Sequence, residues 1–189
     1  MHRTVLLIMV VPCLVAWISG KAGRIRASDI TLLLYCLWAS VSLMVNQGFD
    51  GSIQPAGILF IETAGSYFIA RCYIRNADDF RRTVHLLFWL VVALLPFAIL
   101  EAVTHRDVLL QAFSAVLPVP TTAENDARLG LRRVQAVFEH PILFGVVASS
   151  VFGLSFLVLG YGEKGFKRWM RPGSVFATAF FSLSAGPLT

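Results

Sequence analysis

Six apolar runs separated by short polar connections constrain this chain more than any other feature. They cover residues 5–18, 30–45, 53–70, 84–102, 141–159 and 174–189. At about 1.5 Å of rise per residue, the second to fifth runs, 16 to 19 residues long, span most of a ~30 Å hydrocarbon core. Backbone placed in lipid has to satisfy its own N–H and C=O groups, and a run of this length does so as a helix. The expected fold class is therefore all-α: a polytopic membrane helix bundle of about six transmembrane helices, forming one domain over 1–189. Composition agrees, because charged residues make up 14% of the chain where soluble domains carry about a quarter.

The first run follows Met1-His2-Arg3 and has the length of a signal-peptide core, with Ile18-Ser19-Gly20 resembling a cleavage site. Cleavage there would leave Lys21, Arg24 and Arg26 on the translocated side, against the charge pattern of the remaining loops, so the run is read as a short membrane helix. Asp29 stands beside the start of the second run, Asn46-Gln47-Gly48 closes it, and a short loop carrying only Asp50 leads into the third. The fourth run contains Pro96, a kink site, and ends with Glu101. Residues 103–140 form the one long hydrophilic connection. Within it, 108–117 keeps an apolar face and predicts a short interfacial helix or re-entrant turn, ended by Pro118 and Pro120, before a polar stretch over 121–128. A basic loop with Glu163, Lys164, Lys167, Arg168 and Arg171, then Pro172-Gly173, precedes the sixth run.

The basic residues set an orientation. Loops after the first, third and fifth runs hold 11 of the 16 Lys and Arg residues; the opposite side holds Arg3, Arg106, Arg128, Arg132 and Arg133. The positive-inside rule places the richer set in the cytoplasm. The expected location is a bacterial inner (plasma) membrane, with the N-terminus and the 103–140 loop periplasmic. Confined to short loops, the net charge of +5 speaks for membrane lipids as partners and against nucleic acid. Cys13, Cys36 and Cys72 lie in or beside apolar runs and read as small buried residues; His2, His85, His105 and His140 show no ligand spacing, so no metal site is expected. No glycine-rich phosphate loop of the nucleotide-binding kinds occurs, and no cofactor is expected.

Chemistry concentrates in Arg132-Arg133-Val134-Gln135-Ala136-Val137-Phe138-Glu139-His140-Pro141, where the polar connection turns into the fifth run. Proline suits the first turn of a helix, which puts His140 beside a helix N-terminus with N–H groups and a dipole that favour an anion. If the helix begins earlier, Arg133 and His140, seven residues apart, share one face. Arg132 and Arg133 add fixed charge, and their guanidinium forks match phosphate oxygens. The plainer reading is two juxtamembrane arginines touching lipid phosphates. Glu62, near the middle of the third run, costs about 2.5–3.5 kcal/mol at the bilayer centre unless paired or facing a bundle interior. It pairs with an arginine, holds a proton, or makes a structural hydrogen bond. Glu139 is a candidate base or a partner orienting an arginine. Glu101 and His105 are secondary candidates for the same outer site.

The stretch from Arg133 through Val-Gln-Ala-Val-Phe-Glu-His-Pro-Ile-Leu-Phe to Gly145 resembles the signature of the O-antigen ligase and polymerase superfamily, in which an arginine precedes a Gly-x-Phe-x-His-Pro element opening a membrane helix. Glu62 to Ala70, Arg71 and Asp78-Asp79-Phe80-Arg81-Arg82 resemble the exopolysaccharide branch of that family, and Ser182-Leu-Ser-Ala-Gly-Pro187 is similar to its serine-rich helix. Ala136 and Ala185 depart from the pattern, standing where glycine and arginine or serine are usual. The resemblance implies a periplasm-facing membrane glycosyltransferase acting on an undecaprenyl-diphosphate-linked glycan for surface polysaccharide assembly, without metal or nucleotide, alongside other polysaccharide-assembly partners. It implies that Arg133, with Arg132, holds the diphosphate, while His140 is a helix-start element. It also implies about twice as many helices and a second periplasmic loop bearing the presumed catalytic histidine. The chain is thus expected to correspond to the N-terminal half of such an enzyme and not to catalyse transfer by itself. The alternatives are a multi-pass polysaccharide or lipid transporter and an inactive membrane fragment.

Overall fold

The computed structural model describes residues 2–115, 127–128 and 131–183. It is all-α apart from one short ribbon. The helices are α1 (His2–Ile18), α2 (Ala27–Phe60), α3 (Ser66–Tyr73), α4 (Ala77–Thr104), α5 (Val108–Ser114), α6 (Pro141–Leu154) and α7 (Phe166–Phe180). π-helical turns at Ile61–Gly65 and Ser155–Leu159 continue α2 into α3 and extend α6. The ribbon pairs β1 (Ala127–Arg128) with β2 (Leu131–Arg132), antiparallel. Among the described residues, three helical stretches are long and apolar enough to cross a membrane: Ala27–Tyr73, Ala77–Thr104 and Pro141–Leu159. The chain divides into two compact units, Met1–Asp79 and Phe80–Thr189.

In the first unit the second and third apolar runs meet without the expected loop. Gly48, at φ 76° and ψ 169°, is the one non-helical residue inside α2. Tyr67 reaches Asp29 at 2.5 Å, although 38 residues of straight helix would hold them about 57 Å apart. Gly48 therefore folds the helix back on itself into two arms, 27–47 and 49–73, each of about 30 Å or more. Only glycine takes that backbone region readily, which is why so short a connection suffices.

α1 lies parallel to the second arm and in constant register. Arg3 meets Glu62 and the Cys72 thiol donates to the Cys13 carbonyl, both pairs 59 residues apart. The helices approach closely because Gly65 has no side chain: a Cβ there would sit 2.8 Å from Val10 Cγ2. Cys13, Cys36 and Cys72 are buried with Ala22, Ala64 and Phe68, in keeping with their reading as small apolar residues. Asp29 ties this core together with no exposed surface. It accepts from Tyr67 Oη, from Trp17 Nε1 at 3.0 Å, from the Arg26 N–H at 2.9 Å and from Arg71 Nε at 3.3 Å.

In the second unit α4 and α6 run antiparallel. The first half of α4 (Val84, Phe88, Val91) packs with Ala148, Val151 and Leu159, and its second half (Ala98, Ala102) packs with Val134, Ala136 and Phe144. α5 falls within the stretch expected to form a short apolar helix; Pro118, Pro120 and 121–126 lie outside the described residues. α7 corrects the sequence expectation. It starts at Phe166, inside the presumed basic loop, because those basic and aromatic side chains bind the end of the preceding helix. Arg168 stacks over the Phe156 ring at 4.3 Å, Trp169 packs on the same ring at 4.8 Å, and Arg171 Nη1 donates to the Leu159 carbonyl at 2.7 Å. The far end of the sixth run, 184–189, lies outside the described residues.

Candidate functional site

Residues 133–140 form a non-helical turn between β2 and α6, and with Arg132 at the end of β2 the turn is held from three directions. Arg132 Nη2 pairs with Asp107 Oδ2 at 2.9 Å, and its Nη1 donates to the His105 carbonyl, which a left-handed backbone at His105 (φ 57°) presents. The Val134 N–H donates to the Phe181 carbonyl at 3.0 Å, tying the turn to the end of α7. The Gln135 N–H donates to Glu101 Oε1 at 2.9 Å, tying it to α4. Val134, Gln135 and Ala136 are completely buried. The turn closes through Ala136 at φ 51°, in the left-handed region where residues with a Cβ are strained.

The two arginines therefore differ. Arg132, 16% exposed in its side chain, is engaged in an internal ion pair and fixes the turn. Arg133 is half-buried, and its Nε lies 3.5 Å from the Ser182 carbonyl, the outer limit of hydrogen bonding. In the same turn's surroundings, the hydroxyl of Ser182 and Oδ1 of Asp107, the residue paired with Arg132, are buried with no hydrogen-bond partner among the described residues.

His140 is the N-cap of α6 and Pro141 its first residue, as the sequence suggests. The helix does not begin earlier, so Arg133 and His140 share no helical face. The start of α6 is also closed to an outside anion. His140 Nδ1 accepts the Ile142 N–H at 3.2 Å, and its carbonyl accepts those of Leu143 and Phe144. Since Pro141 has no N–H, the first four helical residues leave no backbone donor pointing outward. Glu139 is exposed. Glu62 belongs to the other unit, on the π-helical turn, where Arg3 Nε pairs with it at 2.7 Å. This is the arginine-pairing option foreseen for a mid-span carboxylate.

Of the residues singled out from sequence, the structure gathers Arg132, Arg133, Glu101 and the His105 backbone around one turn. Gln135 and Ser182, named from the sequence only as members of motif stretches, complete it together with Asp107, which was not anticipated. Asp107 lies 25 residues from its partner Arg132, a separation that carries no periodic signal. Comparison with family models, with curated proteins and with solved structures returned no match. Fold and site together define a class, an all-α membrane protein with a preorganised polar turn at the head of an apolar helix. Within that class, the feature particular to this chain is the Arg133 turn, braced by Glu101, Asp107 and the end of α7.

Proposed function

We propose that this chain is part of a membrane glycosyltransferase of the O-antigen ligase or polymerase type, with Arg133 binding the diphosphate of an undecaprenyl-diphosphate-linked glycan at the periplasmic face. The observation that carries the reading is the rigid turn on which Arg133 sits, within the segment that resembles the family signature. Transfer breaks the bond between the sugar's anomeric carbon and the diphosphate oxygen, and a new bond forms to an acceptor hydroxyl. The acceptor's proton passes to a base on the second periplasmic loop that the resemblance implies. Arg133 stabilises the charge that builds on the leaving diphosphate; a fixed donor of this kind contributes most when nothing has to reorganise. A guanidinium presents a planar fork of donors that matches the oxygens of a diphosphate. Arg132 acts as a positioning residue through Asp107 and His105.

The test is Arg133→Ala in the complete protein in its host, with surface polysaccharide and lipid-linked glycan measured together. The expected result is a fall of about 100-fold in transfer, with lipid-linked glycan accumulating, and partial recovery in Arg133→Lys. Normal polysaccharide at normal membrane levels of the variant would sink the proposal.

A further inference from the structure

The end of the first unit farthest from the Arg3–Glu62 pair holds a concavity of about 800 Å³, lined by Lys21, Gly23, Arg24, Arg26, Arg71 and Arg75 among others. Five cationic side chains face it from two segments, the α1–α2 connection and the end of α3. The acidic groups near them are already engaged. Asp29 takes Arg71, Tyr67 and Trp17, and Asp79 Oδ2 accepts the Arg75 N–H at 3.3 Å. Asp29 offsets Arg71 and Asp79 lies beside Arg75, and the five cations still leave the concavity with a net positive charge.

Its walls are built rather than incidental. Ala22 is buried as a pin, its N–H donating to the Ala16 carbonyl at 3.0 Å. Arg71 Nη2 donates to the Arg24 carbonyl at 2.8 Å and braces the connection against α3. Arg75 Nε donates to the Cys72 carbonyl at 2.8 Å, which fixes the direction of that side chain. Exposed Ile25 stands at the rim, and the exposed apolar residues Ile30, Leu34 and Leu37 follow along α2.

Guanidinium groups arranged around a concavity match the spread oxygens of a phosphate, and an apolar face leading away from it suits acyl chains. We propose that this concavity binds the phosphate headgroup of an anionic phospholipid, with the acyl chains lying along the first arm of α2.

The experiment uses the full chain purified into phosphatidylcholine nanodiscs, with bound lipid counted by native mass spectrometry. Phosphatidylglycerol or cardiolipin is titrated in one arm; inorganic phosphate and pyrophosphate at equal phosphate concentration form another. The expected result is preferential retention of the anionic lipids, lowered about 25-fold in Arg24→Gln/Arg26→Gln, at roughly fivefold per cation removed. Lys21→Gln alone, an exposed change, is expected to lower it about fivefold and serves if the double variant does not fold. Lys164→Gln/Lys167→Gln removes the same charge elsewhere and is expected to lower retention clearly less than the Arg24/Arg26 double variant. Equal loss in the two double variants, or no preference for anionic lipid, overturns the site. Saturation by inorganic phosphate with no added retention of lipid overturns the lipid assignment.

Discussion

Asp29 and Ala136 show how much of this molecule rests on single side chains. Asp29 is fully buried and accepts four donors from α1, the α1–α2 connection and the second arm of the hairpin. Asp29→Ala would leave the Arg71 charge and three polar donors without their acceptor. The expected loss is about 3–5 kcal/mol, measured as a lower unfolding midpoint in detergent, with Asp29→Asn falling between it and the parent. A midpoint unchanged in the alanine variant would mean the network contributes nothing. At Ala136 two effects oppose each other. Glycine would relieve about 1–2 kcal/mol of left-handed strain and would lose a buried methyl of about 0.8 kcal/mol. Ala136→Gly is therefore expected to be neutral or slightly stabilising, whereas Ala136→Val, strained and crowded, should lose about 2–3 kcal/mol in the same assay.

Among the elements, the helical hairpin of α2 depends on Gly48. An added Cβ there meets nothing within 4 Å, so Gly48→Ala isolates the backbone term. The expected cost is about 1–3 kcal/mol, read from thermal unfolding, and a cost near zero would show that φ 76° is not required for the fold-back. The two arms were legible from the apolar runs on either side of Asn46-Gln47-Gly48, because hydropathy reports length and burial in lipid. The absence of a loop was not, because one residue's dihedral angles leave no periodic trace. The start of α6 was legible through His140-Pro141, since proline at the first helical position has a local cause. The early start of α7 was hidden for the opposite reason. Its basic residues suggest a solvated loop until Phe156 and the Leu159 carbonyl are there to receive them.

Over the whole molecule, the basic segments offer the broadest check. Within the first unit, residues 21–26 line one concavity with Arg71, Ile74 and Arg75. Reporter fusions at about residue 125 are expected to be active only on the periplasmic side, and fusions at about residues 22 and 163 only in the cytoplasm. A cytoplasmic signal at 125 would invert the proposed site. The candidate site was half legible. Arg133 and His140 stand out because two arginines, a glutamate and a histidine crowd the nine residues before Pro141, but the partners that fix the turn come from 25 to 49 residues away and carry no local mark. The fold-back at Gly48 also bears on how the chain enters a bilayer. With no connecting loop, the leading edge is a tip of Asn46, Gln47 and Asp50, and carrying Asp50 through the centre costs about 2.5–3.5 kcal/mol. Neither arm alone gathers the full set of partners around Asp29, because Tyr67 and Arg71 sit on the second. Insertion is then favoured as one doubled body, with the buried carboxylate joined to its partners on the near side while the tip alone makes the crossing.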